Sequence, residues 1–254
     1  MFCSFSANTK RYFLSKHQSI TRAMSMLVEK VKFPSENEKG LCPAVLIKNM
    51  ESSSMQGLVI LQEWWGINEQ IQNEATEIAE SGDFIALVPD LYRGKIATDN
   101  EEAGHLMNNL DWPGAVKDIA GAAKYLLSKG CLKVGVTGFC MGGALSLAAA
   151  ALVPEISASA PFYGIPSDTL CDVTKIKIPL QCHFGDLDEL VGFSSPKDVD
   201  ILKTKLESAG VNFELYRYNA GHAFTHKGGP LYSEEACDIS MKRLVQFMKK
   251  NLST

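Results

Sequence analysis

A cysteine stands between glycines where one apolar run ends and another begins. The pentapeptide Gly138-Phe139-Cys140-Met141-Gly142 ends a strand pattern, KVGVTG, and opens a helix pattern, GALSLAAAALV. A thiolate is a strong nucleophile, and the N-terminus of the following helix favours the thiolate over the thiol. Glycines suit the flanking positions because side chains there would collide with the neighbouring strand and helix. The pattern predicts that Cys140 is a nucleophile on a tight turn. The alternative is a buried cysteine in a glycine-rich turn.

A cysteine nucleophile usually has a base, and the base usually has an acid that orients it. His222 follows the strand pattern FELYRY, and Asp186, Asp188 and Glu189 follow another apolar strand pattern. The order along the chain is nucleophile, acid and histidine, which is the order in α/β-hydrolases. His226 is a rival base, but His222 lies nearer to its strand. Two histidines at this spacing are also typical of metal sites, but the sequence offers no evident third ligand.

The composition is that of an ordinary globular protein. A chain of 254 residues is long enough for one large domain, and its net charge of −4 gives no support for nucleic-acid binding. No run of about 18 apolar residues exists, so the sequence predicts no membrane span. The seven cysteines include no CxxC pair. This pattern favours a reducing compartment over a disulfide framework or a zinc site, and we expect a cytoplasmic protein.

The first part of the chain has a different composition. Residues 1–27 contain four basic residues, many serines and threonines, and no acidic residue. Organellar transit peptides have this composition, which leaves mitochondrial or plastid targeting open. Because no clear amphipathic helix is visible, we favour a disordered leader. Residues 28–254 are then predicted to form a single domain.

Strand patterns alternate with helix patterns through that domain, and most of the strands are apolar on both faces. This predicts an α/β fold, a mostly parallel sheet covered by helices on both faces. In such sheets the chemistry lies beyond the carboxyl ends of the strands. We therefore expect one edge of the sheet to collect Glu63, the loop 89–94, Cys140, Asp188 and His222.

Five motifs together resemble one family. LQEWWG, PDLYRG, GFCMGG, HFGDLDELVG and NAGHAF occur in the order and register of the dienelactone hydrolases (carboxymethylenebutenolidases) of the α/β-hydrolase superfamily. The resemblance covers about residues 28–250. It implies an ester or lactone hydrolase with a triad of Cys140, Asp188 and His222, and no metal or organic cofactor. The family's acid lies three residues after the glycine equivalent to Gly185, which selects Asp188 over Asp186.

The resemblance also implies roles for residues around the nucleophile. Glu63 is expected to meet the resting thiol and to take part in its activation; the alternative is a solvated charge at a strand end. A thiol kept neutral beside a carboxylate would resist oxidation. The backbone N–H groups of Trp64 and Met141 are expected to form the oxyanion hole.

Three further residues are candidates for substrate binding. Arg93 matches a family arginine that recognises a substrate carboxylate, although an arginine on a surface loop is the alternative. Trp65 is a candidate pocket residue, although tryptophans more often belong to the core. His226 stands where bacterial members carry a second arginine, so a clamp of two arginines is not expected here.

We therefore expect a hydrolase that forms an acyl-thioester on Cys140 and then releases an acid. The expected partner is a small-molecule ester or lactone, and we expect a monomer without excluding an oligomer. A thioesterase, or an esterase acting on xenobiotic or prodrug esters, is an alternative on the same scaffold. A non-catalytic α/β-hydrolase that binds a small ligand is a second alternative.

Overall fold

Eight strands form one twisted sheet in the middle of the protein. The computed structural model describes residues 26–253, and the predicted leader lies outside them up to residue 25. The strands are β1 (Met26–Phe33), β2 (Cys42–Asn49), β3 (Gln56–Leu61), β4 (Ile85–Pro89), β5 (Lys133–Phe139), β6 (Ile156–Phe162), β7 (Leu180–Gly185) and β8 (Phe213–Tyr218). Their order across the sheet is β1-β2-β4-β3-β5-β6-β7-β8. The β1–β2 and β2–β4 pairs are antiparallel, and the other pairs are parallel.

Helices cover both faces of this sheet. They are α1 (Glu69–Gly82), α2 (Asn100–Asn108), α3 (Trp112–Ser128), α4 (Met141–Leu152), α5 (Pro196–Ser208) and α6 (Glu234–Leu252). Helices α1 and α6 contact each other, and α3 contacts α4. The predicted fold class, a mostly parallel α/β sheet with helices on both faces, is confirmed. Within residues 26–253, no helix is both long and apolar enough to cross a membrane.

The burial of each strand follows its place in the sheet. Strands β3, β5 and β7 are almost entirely buried, because helices cover both of their faces. The edge strands β1 and β8 are largely exposed or half-buried. The apolar runs of the central strands thus predict their position correctly.

Three glycines allow β3, β5, β6 and α4 to approach one another closely. A Cβ atom on Gly138 would lie 2.5 Å from the carbonyl oxygen of Gly142, and one on Gly142 would lie 2.5 Å from that of Leu61. A Cβ atom on Gly143 would lie 2.0 Å from the carbonyl oxygen of Phe162. The neighbouring atoms are backbone atoms that cannot move aside, so these positions exclude any side chain.

One acidic side chain of α1 points into the interior. Glu74 is only 9% exposed. Its Oε2 accepts a hydrogen bond of 2.8 Å from Gln70 Nε2, and its Oε1 has no hydrogen-bond partner among the described residues. Burial, and then the negative charge of Glu63, raise the pKa of Glu74 to about 8. Glu74 is therefore a neutral carboxylic acid at physiological pH.

Replacing Gly143 by Ala is expected to lower the free energy of unfolding by about 3 kcal/mol, because the new methyl group overlaps the Phe162 carbonyl. Gly104→Ala, in helix α2, is the matched control, since a Cβ atom there meets no heavy atom within 4 Å. Alanine favours the helix, so this control should gain up to about 1 kcal/mol. Urea denaturation measures both values. Equal effects of the two substitutions would contradict the packing described here.

Replacing Glu74 by Gln is expected to stabilise the protein increasingly as the pH rises. The folded protein keeps the Glu74 proton up to about pH 8, whereas the unfolded chain releases it near pH 4.5. A raised pKa contributes stability that is complete below pH 4.5 and is lost as the pH rises through 8. Glutamine does not titrate, so the difference between Glu74→Gln and the wild type should grow by about 5 kcal/mol over this range.

Urea denaturation at a series of pH values measures this difference. Glu51→Gln, in the exposed turn after β2, is the matched control and should show a difference that changes little with pH. If the two glutamine variants behave alike, Glu74 does not hold its proton in the folded protein.

Candidate active site

The carboxyl ends of β3, β5, β7 and β8 bring the predicted side chains to one edge of the sheet. Cys140 directly follows β5, and Glu63 lies two residues after β3. Asp188 follows β7, and His222 lies in the loop after β8. The charges of Glu63 and Asp188 both act on the Cys140 thiol. The parallel register of these strands therefore brings the four residues to one edge of the sheet.

The backbone at Cys140 is strained. Its φ of 54° and ψ of −114° are a combination that residues with a side chain rarely adopt, at a cost of about 1–3 kcal/mol. Two backbone hydrogen bonds hold this turn: Cys140 N–H donates to Phe162 O over 3.1 Å, and Ala144 N–H donates to Cys140 O over 3.1 Å. The turn projects the side chain from the strand end to the beginning of α4, as the sequence pattern predicts.

The environment of the sulfur keeps the thiol protonated. Burial, then the negative charge of Glu63 and finally that of Asp188, raise the pKa of Cys140 far above its usual range, while a hydrogen bond from the Met141 backbone N–H acts in the opposite direction. The N-terminus of α4 was predicted to favour the thiolate. Its effect is present but smaller than the effects of burial and of Glu63, so the resting group is a neutral thiol.

His222 and Asp188 form a buried pair. His222 Nδ1 lies 2.7 Å from Asp188 Oδ2, and Asp188 Oδ1 accepts the Leu190 backbone N–H over 3.0 Å. The side chain of Asp188 is fully buried, and that of His222 is 15% exposed. His222 Nε2 has no hydrogen-bond partner among the described residues. When Nδ1–H is donated to Asp188, the lone pair of Nε2 is available to accept a proton.

Asp186, the rejected alternative, lies in a different environment. Its carboxylate is 45% exposed and pairs with Arg217, which also contacts Asp200 on α5. The structure thus separates the two acids of this loop by their partners. Asp188 contacts the histidine, and Asp186 belongs to a surface ion-pair network.

Glu63 is buried and is bonded to His226. Its side chain is 4% exposed, and its Oε2 lies 2.8 Å from His226 Nδ1. Glu63 Oε1 has no hydrogen-bond partner among the described residues. This hydrogen bond, against the effect of partial burial, raises the pKa of His226. Glu63 is therefore not a solvated strand-end charge; its charge acts on the thiol, but its hydrogen bond goes to His226.

The predicted oxyanion-hole residues lie on two elements, the beginning of α4 and the turn after β3. Met141 is the first residue of α4, and its backbone N–H is bonded to the Cys140 sulfur. Trp64 follows Glu63 in the turn after β3, and its ring contacts that of Trp65 edge-on with centroids 5.2 Å apart. Because Gly142 lies against the backbone at the end of β3, the beginning of α4 lies close to this turn.

Arg93 is held inside a network of its own. Its Nη2 donates to Asp118 Oδ1 over 2.8 Å, and its Nη1 donates to the Asp90 carbonyl over 2.9 Å and to Cys42 Sγ over 3.3 Å. Asp118 is 1% exposed, and the Arg93 side chain is 17% exposed. The guanidinium thus stabilises the loop after β4, and its binding of a substrate carboxylate stays a prediction.

Three residues that sequence reasoning missed contact the site. Ser194 Oγ lies 3.2 Å from His222 Nδ1, and the Tyr163 ring meets the His222 ring edge-on with centroids 5.1 Å apart. Tyr92 donates its hydroxyl hydrogen to Met141 Sδ over 3.2 Å. Tyr92 lies within the motif PDLYRG and was identifiable from it. The other two carry no signal in the sequence, because only the tertiary fold brings them to the histidine.

Known proteins share both the sequence and the fold of this chain. The sequence model of the dienelactone hydrolase family matches residues 43–252. The protein usf of Aquifex pyrophilus is 34% identical over 212 residues, covering 78% of this chain and 89% of the relative. Carboxymethylenebutenolidase of Pseudomonas putida is 28% identical over 206 residues, covering 75% and 84%.

The solved structure of a dienelactone hydrolase-like promiscuous phosphotriesterase from metagenomic libraries superposes with a TM-score of 0.76 at 20% identity, covering 89% of this chain and 99% of that chain. This likeness concerns the fold alone, and it extends over nearly the whole described part. Together with the match of the family over residues 43–252, it accounts for the sheet and for the strand ends that carry the site. The chain therefore belongs to the dienelactone hydrolase family.

Proposed function

We propose that this member of the dienelactone hydrolase family cleaves a small carboxylic ester or lactone with Cys140 as nucleophile, His222 as base and Asp188 as the orienting acid. One observation carries the proposal. The Cys140 thiol, on a strained turn at the beginning of α4, lies at the same edge of the sheet as His222. Nδ1 of this histidine is bonded to the buried carboxylate of Asp188, and its Nε2 has no partner among the described residues. A histidine oriented by a carboxylate in this way can serve as the base for a nucleophile at the same edge of the sheet.

The reaction proceeds in two halves. His222 Nε2 accepts the thiol proton, and the sulfur of Cys140 forms a bond to the carbonyl carbon of the substrate. The backbone N–H groups of Trp64 and Met141 stabilise the negative oxygen that develops. As the C–O bond breaks, His222 returns the proton to the leaving alcohol, leaving an acyl-thioester. Water then loses a proton to His222, attacks the thioester and releases the acid together with the thiol.

Glu63 acts on the resting state in this proposal. Its charge helps to keep the thiol neutral until a substrate occupies the site. A neutral thiol is much less readily oxidised than a thiolate, so the same charge protects the nucleophile between turnovers. The presence of a substrate is expected to weaken the effect of the Glu63 charge on the sulfur and so to permit the proton transfer to His222.

The surroundings of the site favour a substrate with an uncharged, apolar part. Of the two candidate cations, Arg93 is paired with Asp118 and His226 with Glu63. A hollow of about 380 Å³ reaches Phe193, whose ring centroid lies 6.2 Å from that of His222. Its described lining holds no charged side chain and includes Met107, Trp112, Ile165 and Leu170. Trp65 is retained as a candidate pocket residue, since its ring packs against Trp64 in the turn after Glu63.

Turnover of a dienelactone and of a simple aryl ester tests the nucleophile. Cys140→Ala is expected to lower kcat/KM by about 10³-fold or more, because alanine cannot form the acyl-thioester. Cys182→Ala is the matched control, since Cys182 is also a fully buried cysteine but lies within β7. That control should stay within about threefold of the wild type.

Two outcomes contradict the proposal. Equal activity of the wild type and Cys140→Ala means that another residue attacks the substrate. A wild-type protein that binds small acids but turns over neither ester is a ligand-binding member of the fold. The ratio of the two wild-type rates also reports substrate preference, because a hollow with an apolar lining favours the uncharged aryl ester.

The two neighbouring acids provide a second test. Asp188→Asn is expected to lower kcat by about 10³-fold, because an amide no longer fixes the His222 tautomer or stabilises its cation. Asp186→Asn is the matched control, because it makes the same chemical change in an acid that contacts Arg217. It should alter kcat less than about threefold. Steady-state kinetics on the aryl ester measures both variants. Comparable losses in the two would show that Asp188 does not orient the base.

A further inference from the structure

Glu63 and His226 form a pair of opposite ionisable groups beside the sulfur, and the mechanism above uses only the glutamate. Glu63 Oε2 lies 2.8 Å from His226 Nδ1, with the glutamate side chain 4% exposed and the histidine side chain 23% exposed. The backbone N–H of His226 donates a hydrogen bond of 2.9 Å to the carbonyl oxygen of Ala223, which closes a turn. The imidazole is therefore fixed by its own loop and reaches Glu63 from the side of the solvent.

We propose that His226 is a positioning residue whose charge, by pairing with Glu63, sets how readily the Cys140 thiol ionises. This inference rests on the proposed role of Cys140 as nucleophile. When His226 is protonated, its positive charge offsets the negative charge of Glu63. When His226 loses that proton to solvent, the charge of Glu63 acts on the sulfur without compensation and disfavours the thiolate.

The sizes of these effects support a measurable coupling. Charges a few ångströms apart interact by about 1–4 kcal/mol at the effective dielectric of a partly buried site. Glu63 contributes to the raised pKa of Cys140, second only to burial. The hydrogen bond to Glu63 raises the pKa of His226, so the imidazolium persists above 6.5, its ordinary value, and is lost on further deprotonation. The coupling therefore changes with pH in the neutral range.

Other titratable groups face the pair from several elements. Glu74 on α1 holds its proton up to about pH 8. Tyr163, after β6, has a pKa raised well above its usual value by burial and then by Glu63. Lys227, the next residue of the loop, is bonded to Glu77 on α1 over 2.6 Å. The charge of Asp188 also acts on the sulfur. Asp188 and its partner His222 are unchanged in every variant described below.

The reactivity of Cys140 towards iodoacetamide tests the proposal, with the modified peptide identified by mass spectrometry. His226→Arg keeps a positive charge at every pH, and His226→Gln has none. The rate ratio of His226→Arg to wild type should be near one at about pH 5.5. It should rise to about fivefold as the pH is raised well past 6.5, the ordinary value of the imidazole. The ratio of wild type to His226→Gln should start at about fivefold and fall towards one.

The control is His105, a histidine on α2 whose side chain is 71% exposed and which pairs with Glu101. His105→Arg and His105→Gln should give ratios near one at every pH. The same ratios are also measured for kcat/KM with the aryl ester. This second measurement shows whether a change in alkylation rate comes only from altered access of iodoacetamide to the sulfur. If His226→Arg does not fold, His226→Gln and the wild type decide it alone.

Ratios that stay constant with pH for the His226 variants, in both alkylation and turnover, overturn the proposal. This failure differs from failure of the proposed function. Loss of turnover in Cys140→Ala together with constant ratios leaves the nucleophile in place and removes only the role of His226. Turnover that survives Cys140→Ala rejects the nucleophile whatever the ratios are.

Discussion

The close approach of four backbone segments around Cys140 is the constraint on which the rest of the site depends. The positive φ of this residue is unfavourable by itself, and hydrogen bonds to Phe162 and Ala144 hold it in place. These bonds form only because glycines at 138, 142 and 143 let β3, β5, β6 and α4 pack backbone against backbone. The core thus supplies the stability that a strained turn lacks, and it fixes the sulfur relative to the ends of three other strands.

Burial at this point determines the electrostatics as well as the geometry. The structure places Glu63, Asp188 and Glu74 in the interior, and the cost of burying them is offset in two ways. Asp188 is paired with His222, and Glu63 is paired with His226. Glu74 forms no ion pair within residues 26–253 and keeps its proton instead. Since the charge of Glu63 raises the pKa of both Glu74 and Cys140, the protonation states of these groups depend on one another.

Much of this arrangement follows from the sequence. The apolar runs predict the central strands and the fold class, and the rule that chemistry collects at carboxyl strand ends brings Cys140, Asp188 and His222 together. The partners of Arg93 and Glu63 do not follow from it. Asp118 is 25 residues from Arg93 and His226 is 163 residues from Glu63, so only the packed loops bring these pairs into contact. Arg93 was predicted to bind a substrate carboxylate and Glu63 to meet the thiol. Neither prediction included these partners, because a motif shows residue types and order but not the competition among neighbours.

This competition bears on specificity. A guanidinium keeps its positive charge at every physiological pH, whereas an imidazole carries it over only part of that range. His226 therefore pairs Glu63 with a group whose charge varies with pH. Arg93 donates hydrogen bonds to Asp118 and to the Asp90 carbonyl. Neither group is a free cation in the resting structure, so a negatively charged substrate would have to displace a buried carboxylate to reach either one. An uncharged ester needs no such exchange, and the apolar hollow beside Phe193 offers it contact without that cost.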